Sequence, residues 1–520
     1  MNYTDLFRVT LPETALEIAA LLVLVVDLGL LRKAALNVRL GVAVALGVVG
    51  CGAALWAVGI QVSFGLYADD NLVLATGGAA AVAQCGILVL TALSLLLLFD
   101  SVFTRHVGEF VAVMLMAAAG GLLIAAALDL LVIFIGLELL SLGLYILTAF
   151  AKSSGKSAEA AIKYYLFGGM SAAFLLFGFS YLYGLSGSTN LYWIQENIAQ
   201  AGASPLFYVA WILIVAGLGF KVAAVPFHLW APDTYEGAPA SAAAFIASVS
   251  KVASFALLLT IGRSLLMPGG PISGQAQVVE RILSEIYVAW QPLAMTLFLI
   301  ATASMIVGNM AALAQSSVRR LLAYSAIAHA GYILLGIATQ PHFSGQGSAF
   351  QFFLSTTGPS SLSSNAVLFY VLTYGLTTIG AFGVVGVVER ATGSDRLDSF
   401  LGLHKRNPLL AGVLLILFLS LAGIPPLVGF WAKFNLFAAV LGEHAGPVPF
   451  ALVCLAIAMS AVSLYYYLQV LKRAYVMPAV DDLPIKVHPV VMVVLVGIAA
   501  AVVLLGCFPT LLGGWIEGFK

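Results

Sequence analysis

Four lysines, a glutamate and a histidine stand inside apolar stretches of this chain, where uncompensated charge is costly. Glu138 lies in DLLVIFIGLELLSLGLYIL, Lys221 in AGLGFKVAAVPFHLWAPDTYEGAPA and Lys433 in LAGIPPLVGFWAKFNLF. Lys251, His329 and Lys163 occupy further apolar runs. A carboxylate, amines and an imidazole can each take up and release a proton, so the chemistry they could do is proton exchange. At 1.5 Å per helical residue, Glu138, Lys251 and His329 each fall roughly 13–17 Å into their segments, near the middle of a bilayer. A charge at that depth costs from about 2.5 to over 10 kcal/mol and has to be paired, hydrated or neutral. One such residue could simply lock two helices together, and a lysine could snorkel to the interface, as Lys163 could from its loop. Structure alone does not require a whole set of them.

The elements that must hold these groups follow from composition. The 520 residues are 62% hydrophobic and 9% charged, with 23 basic and 23 acidic residues and a mean hydropathy of +1.06. Soluble domains carry roughly 25% charged residues, so the solvent of this chain is mostly lipid. Zero net charge gives no reason to expect nucleic acid. A spanning helix needs about 20 apolar residues. On that rule an all-α polytopic membrane protein is expected, a single transmembrane domain over 1–520. It has fourteen spans near 11–31, 38–60, 78–99, 108–128, 129–150, 161–184, 206–230, 240–264, 287–313, 318–339, 365–389, 407–442, 448–471 and 488–512. The joint at Leu128-Asp129 is the tightest. The first span is expected to be retained rather than cleaved, because it is of spanning length and Arg32, Lys33 and Arg39 follow it.

Charge distribution orients the bundle. The loops after odd-numbered spans hold fifteen Lys and Arg, and the opposite face holds four, Arg8, Arg263, Arg281 and Lys520. The positive-inside rule places the odd loops in the cytoplasm and both termini on the extracytoplasmic side of the cell (inner) membrane. The only basic residues left over are Lys163, Lys221, Lys251 and Lys433. Cys51, Cys85, Cys454 and Cys507 show no metal-ligand spacing, so no iron–sulfur or zinc site is expected here. The Ser- and Gly-rich stretch 340–364 reads as a flexible extracytoplasmic loop.

Spans 7 and 12 are interrupted. Pro226 follows Lys221 by five residues, and Pro425-Pro426 precede Lys433. Proline removes a backbone donor and clashes with the preceding turn, so both helices should break. Broken helices are tolerated at membrane depth where they line a buried or watery cavity. Glu138 and Lys221 are 83 residues apart; His329 and Lys433 are 104 apart, or 79 without the 25-residue polar stretch. Spans 4–8 (108–264) and 9–13 (287–471) would then be two five-helix repeats, the second inverted because five is odd.

At these residues the chain closely resembles the antiporter-like membrane subunits of complex I, over essentially its whole length. The motifs GLELLSLGLYIL, FKVAAVPFHLWAPDTYEGAP, RRLLAYSAIAHAGY and HKRNP…AGIPPLVGFWAKF carry the likeness. The GLELLSL form, Lys433 in span 12 and an end soon after span 14 point to the N type. The resemblance implies an acid–base pair of Glu138 and Lys221, a connecting base at Lys251, a terminal one at Lys433, and roles for Lys163 and His329. It also implies proton pumping driven from elsewhere. NADH, FMN, iron–sulfur clusters and quinone would belong to partner subunits, with no cofactor in this chain. M-, K- and J-type neighbours and a peripheral redox arm are the expected partners. Moving Glu138 away from Lys221 would release a proton towards Lys251 and His329. A multi-component cation/proton antiporter or a membrane-bound hydrogenase shares this fold, and an inert scaffold is the third reading.

Overall fold

Proline and small capping residues start the helices where the apolar runs begin. In the computed structural model, which describes residues 7–63, 73–101, 103–201, 204–266, 276–339, 359–442, 446–479 and 483–519, all fourteen spans are present. Among the described residues, eleven helices are long and apolar enough to cross a membrane. The first span adds Leu11–Val25 prolonged by the π-turn Val26–Leu30, and spans 7 and 12 are the two broken ones. Span 5 (Leu130–Thr148) is capped by Asp129, which accepts from Leu131 N at 2.8 Å. Span 6 (Gly155–Ser186) is capped by Ser154 and span 10 (Val318–Ala338) by Ser317. Each cap satisfies a backbone donor that the first turn leaves free.

The tight joint between spans 4 (Val107–Ala126) and 5 is explained by extended backbone. Ala127 bridges to Leu74, and Asp129 bridges to Asn190, so a three-residue connection is enough. Several short helices lie outside the expected spans, among them two with a clear physical reason. Leu191–Ala201 follows span 6 and exposes Tyr192 and Trp193, the aromatic character of a membrane–water boundary. Pro509–Gly518 follows span 14 (Pro489–Cys507), because Pro509 cannot continue the preceding helix. Residues 340–358 of the Ser- and Gly-rich stretch lie outside the described residues; from Pro359 the chain is already in span 11 (Pro359–Thr392).

Span 8 (Ala240–Leu266), span 10 and span 11 form the centre, with 94%, 94% and 89% of their apolar windows buried. Span 13 (Pro447–Tyr475) lies at the margin with 22%. Lys251 and His329 are therefore carried by the helices with least access to lipid. Charged side chains gather at the end of the bundle that carries the odd-numbered loops. Asp27 takes two bonds from Arg39, at 2.7 and 2.6 Å, and Asp100 pairs with Arg390 at 2.7 Å.

Glycine sets how closely the central helices approach. A Cβ on Gly120 of span 4 would lie 2.5 Å from Leu140 N of span 5, and one on Gly308 of span 9 (Ala276–Leu313) 2.6 Å from Ala328 N of span 10. The first pair of each five-helix set is thus packed backbone on backbone in the same manner. Gly308→Ala is expected to destabilise the protein by roughly 1–3 kcal/mol, since the obstacle is main chain and cannot rotate away. Gly169, with nothing within 4 Å of its would-be Cβ, provides the control. Thermal unfolding in detergent should lower the midpoint for Gly308→Ala only; equal midpoints for the two variants would refute the packing argument.

Candidate functional site

A helix broken inside a membrane leaves carbonyls without donors, and each unsatisfied one costs several kcal/mol. Span 7 runs as Pro205–Lys221, then turns through Val222–Leu229 before the short helix Trp230–Gly237 at the loop end of the bundle. Span 12 runs as Pro408–Ala422, turns at Gly423–Leu427 and resumes as Val428–Leu441. Pro226 and the Pro425-Pro426 pair lie in these turns, as the sequence requires.

Buried ammonium groups satisfy the freed carbonyls in both places. The Lys251 Nζ donates to Val222 O. The Lys433 Nζ donates to Leu421 O at 3.1 Å, to Ala422 O at 3.0 Å and to Ser460 Oγ at 2.8 Å. Trp230 Nε1 takes Phe220 O at 2.9 Å, and Ser304 Oγ accepts from Val225 N at 2.9 Å. Gly423 has φ +87°, and a Cβ there would lie 3.0 Å from the Lys433 Cδ. Only glycine both turns the chain this way and leaves room for the lysine.

Lys221 ends the first half of span 7, 7% exposed, and its ammonium donates to Ser141 Oγ at 2.5 Å. Ser141 in turn donates to Leu137 O. Ser141 stands one turn beyond Glu138 on span 5, and its hydroxyl is shared between the Lys221 ammonium and Leu137 O. Glu138 is half-buried and shares its face with Leu131, Ile135, Leu142 and Ile146, all exposed. The acid therefore looks towards the outer surface of the bundle and the lysine towards its interior. Residue 222 follows Lys221 directly, so Lys251 takes hold of the chain one residue from the first base.

His329 is 4% exposed and flanked on both nitrogens. Its Nδ1 meets Tyr370 Oη at 2.8 Å and its Nε2 meets Tyr467 Oη at 3.5 Å. Tyr374 packs against the imidazole with ring centroids 4.8 Å apart, and the Tyr467 hydroxyl also contacts Ser325 Oγ. The Lys433 ammonium lies 5.5 Å above the Tyr332 ring, which meets His329 edge-on at 5.7 Å. Lys221 and Lys251 thus meet at the first break, through Ser141 and Val222 O, and His329 and Lys433 are joined through the Tyr332 ring.

Lys163 belongs to a different assembly. Its side chain is 40% exposed and pairs with Glu159 and Asp233, each at 2.7 Å. Arg320 holds Asp233 at 2.6 Å and Glu236 at 3.0 Å, and Lys156 holds Glu236 at 2.9 Å. Arg319 pairs with Glu389 at 3.1 Å and donates to Ala238 O. This ionic cluster ties spans 6, 10 and 11 to the short helix Trp230–Gly237. Sequence reasoning missed Asp233 and Arg320, although the acids of PDTYEG beyond the break were the available signal. It also missed Ser141, whose signal was its position three residues after Glu138. Tyr370 and Tyr467 gave none, since tyrosine is ordinary in membrane helices.

Known proteins resemble this chain in sequence and in fold. The family model described as NADH:quinone oxidoreductase/Mrp antiporter, TM, matches residues 127–357 and 352–460. The chain is 46% identical to NADH-quinone oxidoreductase subunit N 2 of Acidobacterium capsulatum, over 99% of both chains. It is similar in structure to a chain of respiratory complex I from Thermus thermophilus with bound aureothin. That match has TM-score 0.75 and 30% identity, and covers 97% of this chain and 98% of that one. A chain of an archaeal membrane-bound sulfane sulfur reductase, TM-score 0.79 and 23% identical, covers 98% of this chain and 96% of its own; it shares the fold.

The ionic cluster makes stability depend on pH. Burial pushes the Asp233 and Glu236 carboxyls up. The hydrogen bonds to Asp233 from Lys163 and Arg320, and to Glu236 from Lys156 and Arg320, outweigh that and hold both below the ordinary carboxylate value. A carboxyl lowered in this way stabilises the folded state above its unfolded value, roughly 4, and the contribution is lost as pH falls through the lower folded value. Wild-type protein should therefore lose thermal stability as pH falls below about 4. The double variant Asp233→Asn/Glu236→Gln should start lower at neutral pH and show a flatter acid slope. An unchanged slope would exclude the cluster as its source.

Proposed function

This chain belongs to the NADH:quinone oxidoreductase/Mrp antiporter membrane family, as a member of its subunit N branch, and from that premise we propose which of its residues carry the proton. Its function is that of the proton-translocating membrane subunit N of complex I, a multi-pass part of a translocase that works with other subunits. Full-length identity of 46% to a subunit N supports this over the antiporter reading, which the family description also covers, and over the hydrogenase reading.

One observation carries the assignment of residues: both helix breaks give their freed carbonyls to a lysine ammonium, Lys251 at the first and Lys433 at the second. A kink that served packing alone would be completed by neutral hydroxyls or water. We assign Glu138 as the acid that governs Lys221, with Ser141 passing the influence between them. Lys251 receives the proton beside the first break, His329 links the two halves, and Lys433 exchanges it with one side of the membrane. Lys163 we assign to the ionic cluster, where it holds the short helix beyond the first break. The similar close packing of spans 4–5 and 9–10 supports two repeats, over 108–264 and 287–471, with their breaks inverted.

Among the described residues no cluster of three His, Cys, Asp or Glu could hold a metal. In this reading NADH, FMN, iron–sulfur clusters and quinone act in partner subunits, the nearest being M-, K- and J-type neighbours and the redox arm. The fifteen basic residues of the odd loops support a cytoplasmic location for that end and extracytoplasmic termini.

Methionine keeps the volume of lysine and cannot titrate, so it separates a carrier from a packing residue. Lys221→Met and Lys433→Met should assemble normally and lower coupled quinone reduction and proton uptake by about tenfold or more, equivalent to at least ~1.4 kcal/mol on the limiting step. Lys433→Arg should fail equally, because arginine does not release its proton at working pH. The measurement is turnover and proton uptake in reconstituted vesicles, normalised to complex content. Normal pumping in Lys433→Met would remove that residue from the path, and normal pumping in both Met variants would leave a scaffold.

A further inference from the structure

Span 13 contributes no charged group to the interior, yet its narrow enclosed face touches two of the proposed carriers. Ser460 Oγ accepts from the Lys433 ammonium at 2.8 Å, and Tyr467 Oη meets His329 Nε2 at 3.5 Å. Between them Ser463 is buried at 2% exposure and donates to Ser460 O at 2.6 Å. Positions 460, 463 and 467 fall on one face of a helix, about 10 Å from first to last at 1.5 Å per residue. The remaining faces of this span look outwards, with Ile457, Tyr465 and Leu468 exposed. Serine in a membrane helix often does no more than bond its own backbone, as Ser463 does. Ser460 and Tyr467 instead direct their hydroxyls at a lysine and a histidine on two other helices.

We propose that the hydroxyl stripe of span 13, from Tyr467 to Ser460, relays the proton between His329 and Lys433. The inference rests on the assignment of those two residues as carriers. The His329 imidazolium gives its Nε2 proton to the Tyr467 oxygen while the hydroxyl proton of Tyr467 leaves on the side of the stripe, so the tyrosine ends neutral. Ser325, in contact with the same hydroxyl, orients it. Water carries the proton along the stripe from Tyr467 to Ser460, because the Ser463 hydroxyl is committed to the Ser460 carbonyl. Ser460 passes its hydroxyl proton to the neutral Lys433 amine as it takes up the incoming one, and the product is the ammonium.

Tyr467→Phe keeps the ring, which packs edge-on against Phe418 at 5.6 Å, and removes only the hydroxyl. In the intact complex in vesicles it should lower coupled turnover by about tenfold and raise the solvent deuterium isotope effect. Ser460→Ala should act in the same direction. Tyr467→His, which restores an exchangeable proton on a ring, should recover most of the rate. Tyr465→Phe removes an outward hydroxyl two residues away and should change nothing. Wild-type turnover and isotope effect in Tyr467→Phe would overturn the relay. So would a slow Tyr467→Phe with an unaltered isotope effect and no rescue by histidine, because that pattern belongs to packing. Should His329→Ala itself pump normally, the carrier assignment fails first and the relay with it; an inactive His329→Ala beside a normal Tyr467→Phe would overturn the relay alone.

Discussion

A polypeptide in hydrocarbon has to satisfy every backbone polar group from within, and the interior of this protein is organised around the two places where helix geometry cannot do so. Pro226 and the Pro425-Pro426 pair release carbonyls that lysine ammonium groups then occupy. Two liabilities, an unpaired carbonyl and a buried cation, become one contact. The lysines could not be tolerated without the breaks, nor the breaks without the lysines. Glycine at 423, the Trp230 indole bonded to Phe220 O and the Ser304 hydroxyl all complete that same exchange.

The contact also explains why the bases need no fixed carboxylate. The Lys251 and Lys433 ammonium groups bond the last carbonyls of a half-helix, and Lys221 is the last residue of one, where the peptide dipoles sum to a partial negative charge. Such a counter-charge cannot be neutralised by protonation, whereas a carboxylate partner could be. Glu138 is then free to act as a variable influence on Lys221 rather than as its permanent partner, consistent with its half-buried position and with the bond of Lys221 to Ser141.

Much of this was legible from residue types alone, because a charge or a proline inside an apolar run is conspicuous. Depth along a span follows from counting residues, so Lys251 and His329 were placed correctly near the middle of enclosed helices. Rotation about the helix axis does not follow from counting. Glu138 and Lys221 were expected as a pair; the structure turns the acid outwards, and the lysine ammonium donates to Ser141. Lys163 was harder still: span 6 begins at Gly155, so this lysine lies in the third turn, and its partner Asp233 comes from beyond the break in span 7. Hydroxyls such as those of Ser460 and Tyr467 cost little in a membrane helix and leave no anomaly in composition, which is why only packing reveals where they point.

The ionic cluster has a mechanical meaning. One guanidinium, that of Arg320, grips both acids of the short helix Trp230–Gly237, while Lys156 and Lys163 hold them from the opposite side. That helix is pinned at its far end, and the first half of span 7 is a straight rod ending at Lys221. Between pin and rod lie the eight residues Val222–Leu229, which are in turns and lack the hydrogen-bond ladder of the helices on either side. A rod joined to an anchored block through a soft hinge concentrates any imposed displacement at the hinge. Lys221 and the carbonyl that Lys251 grips are at that hinge, so a small tilt applied along span 7 is felt most by the two groups whose separation matters most.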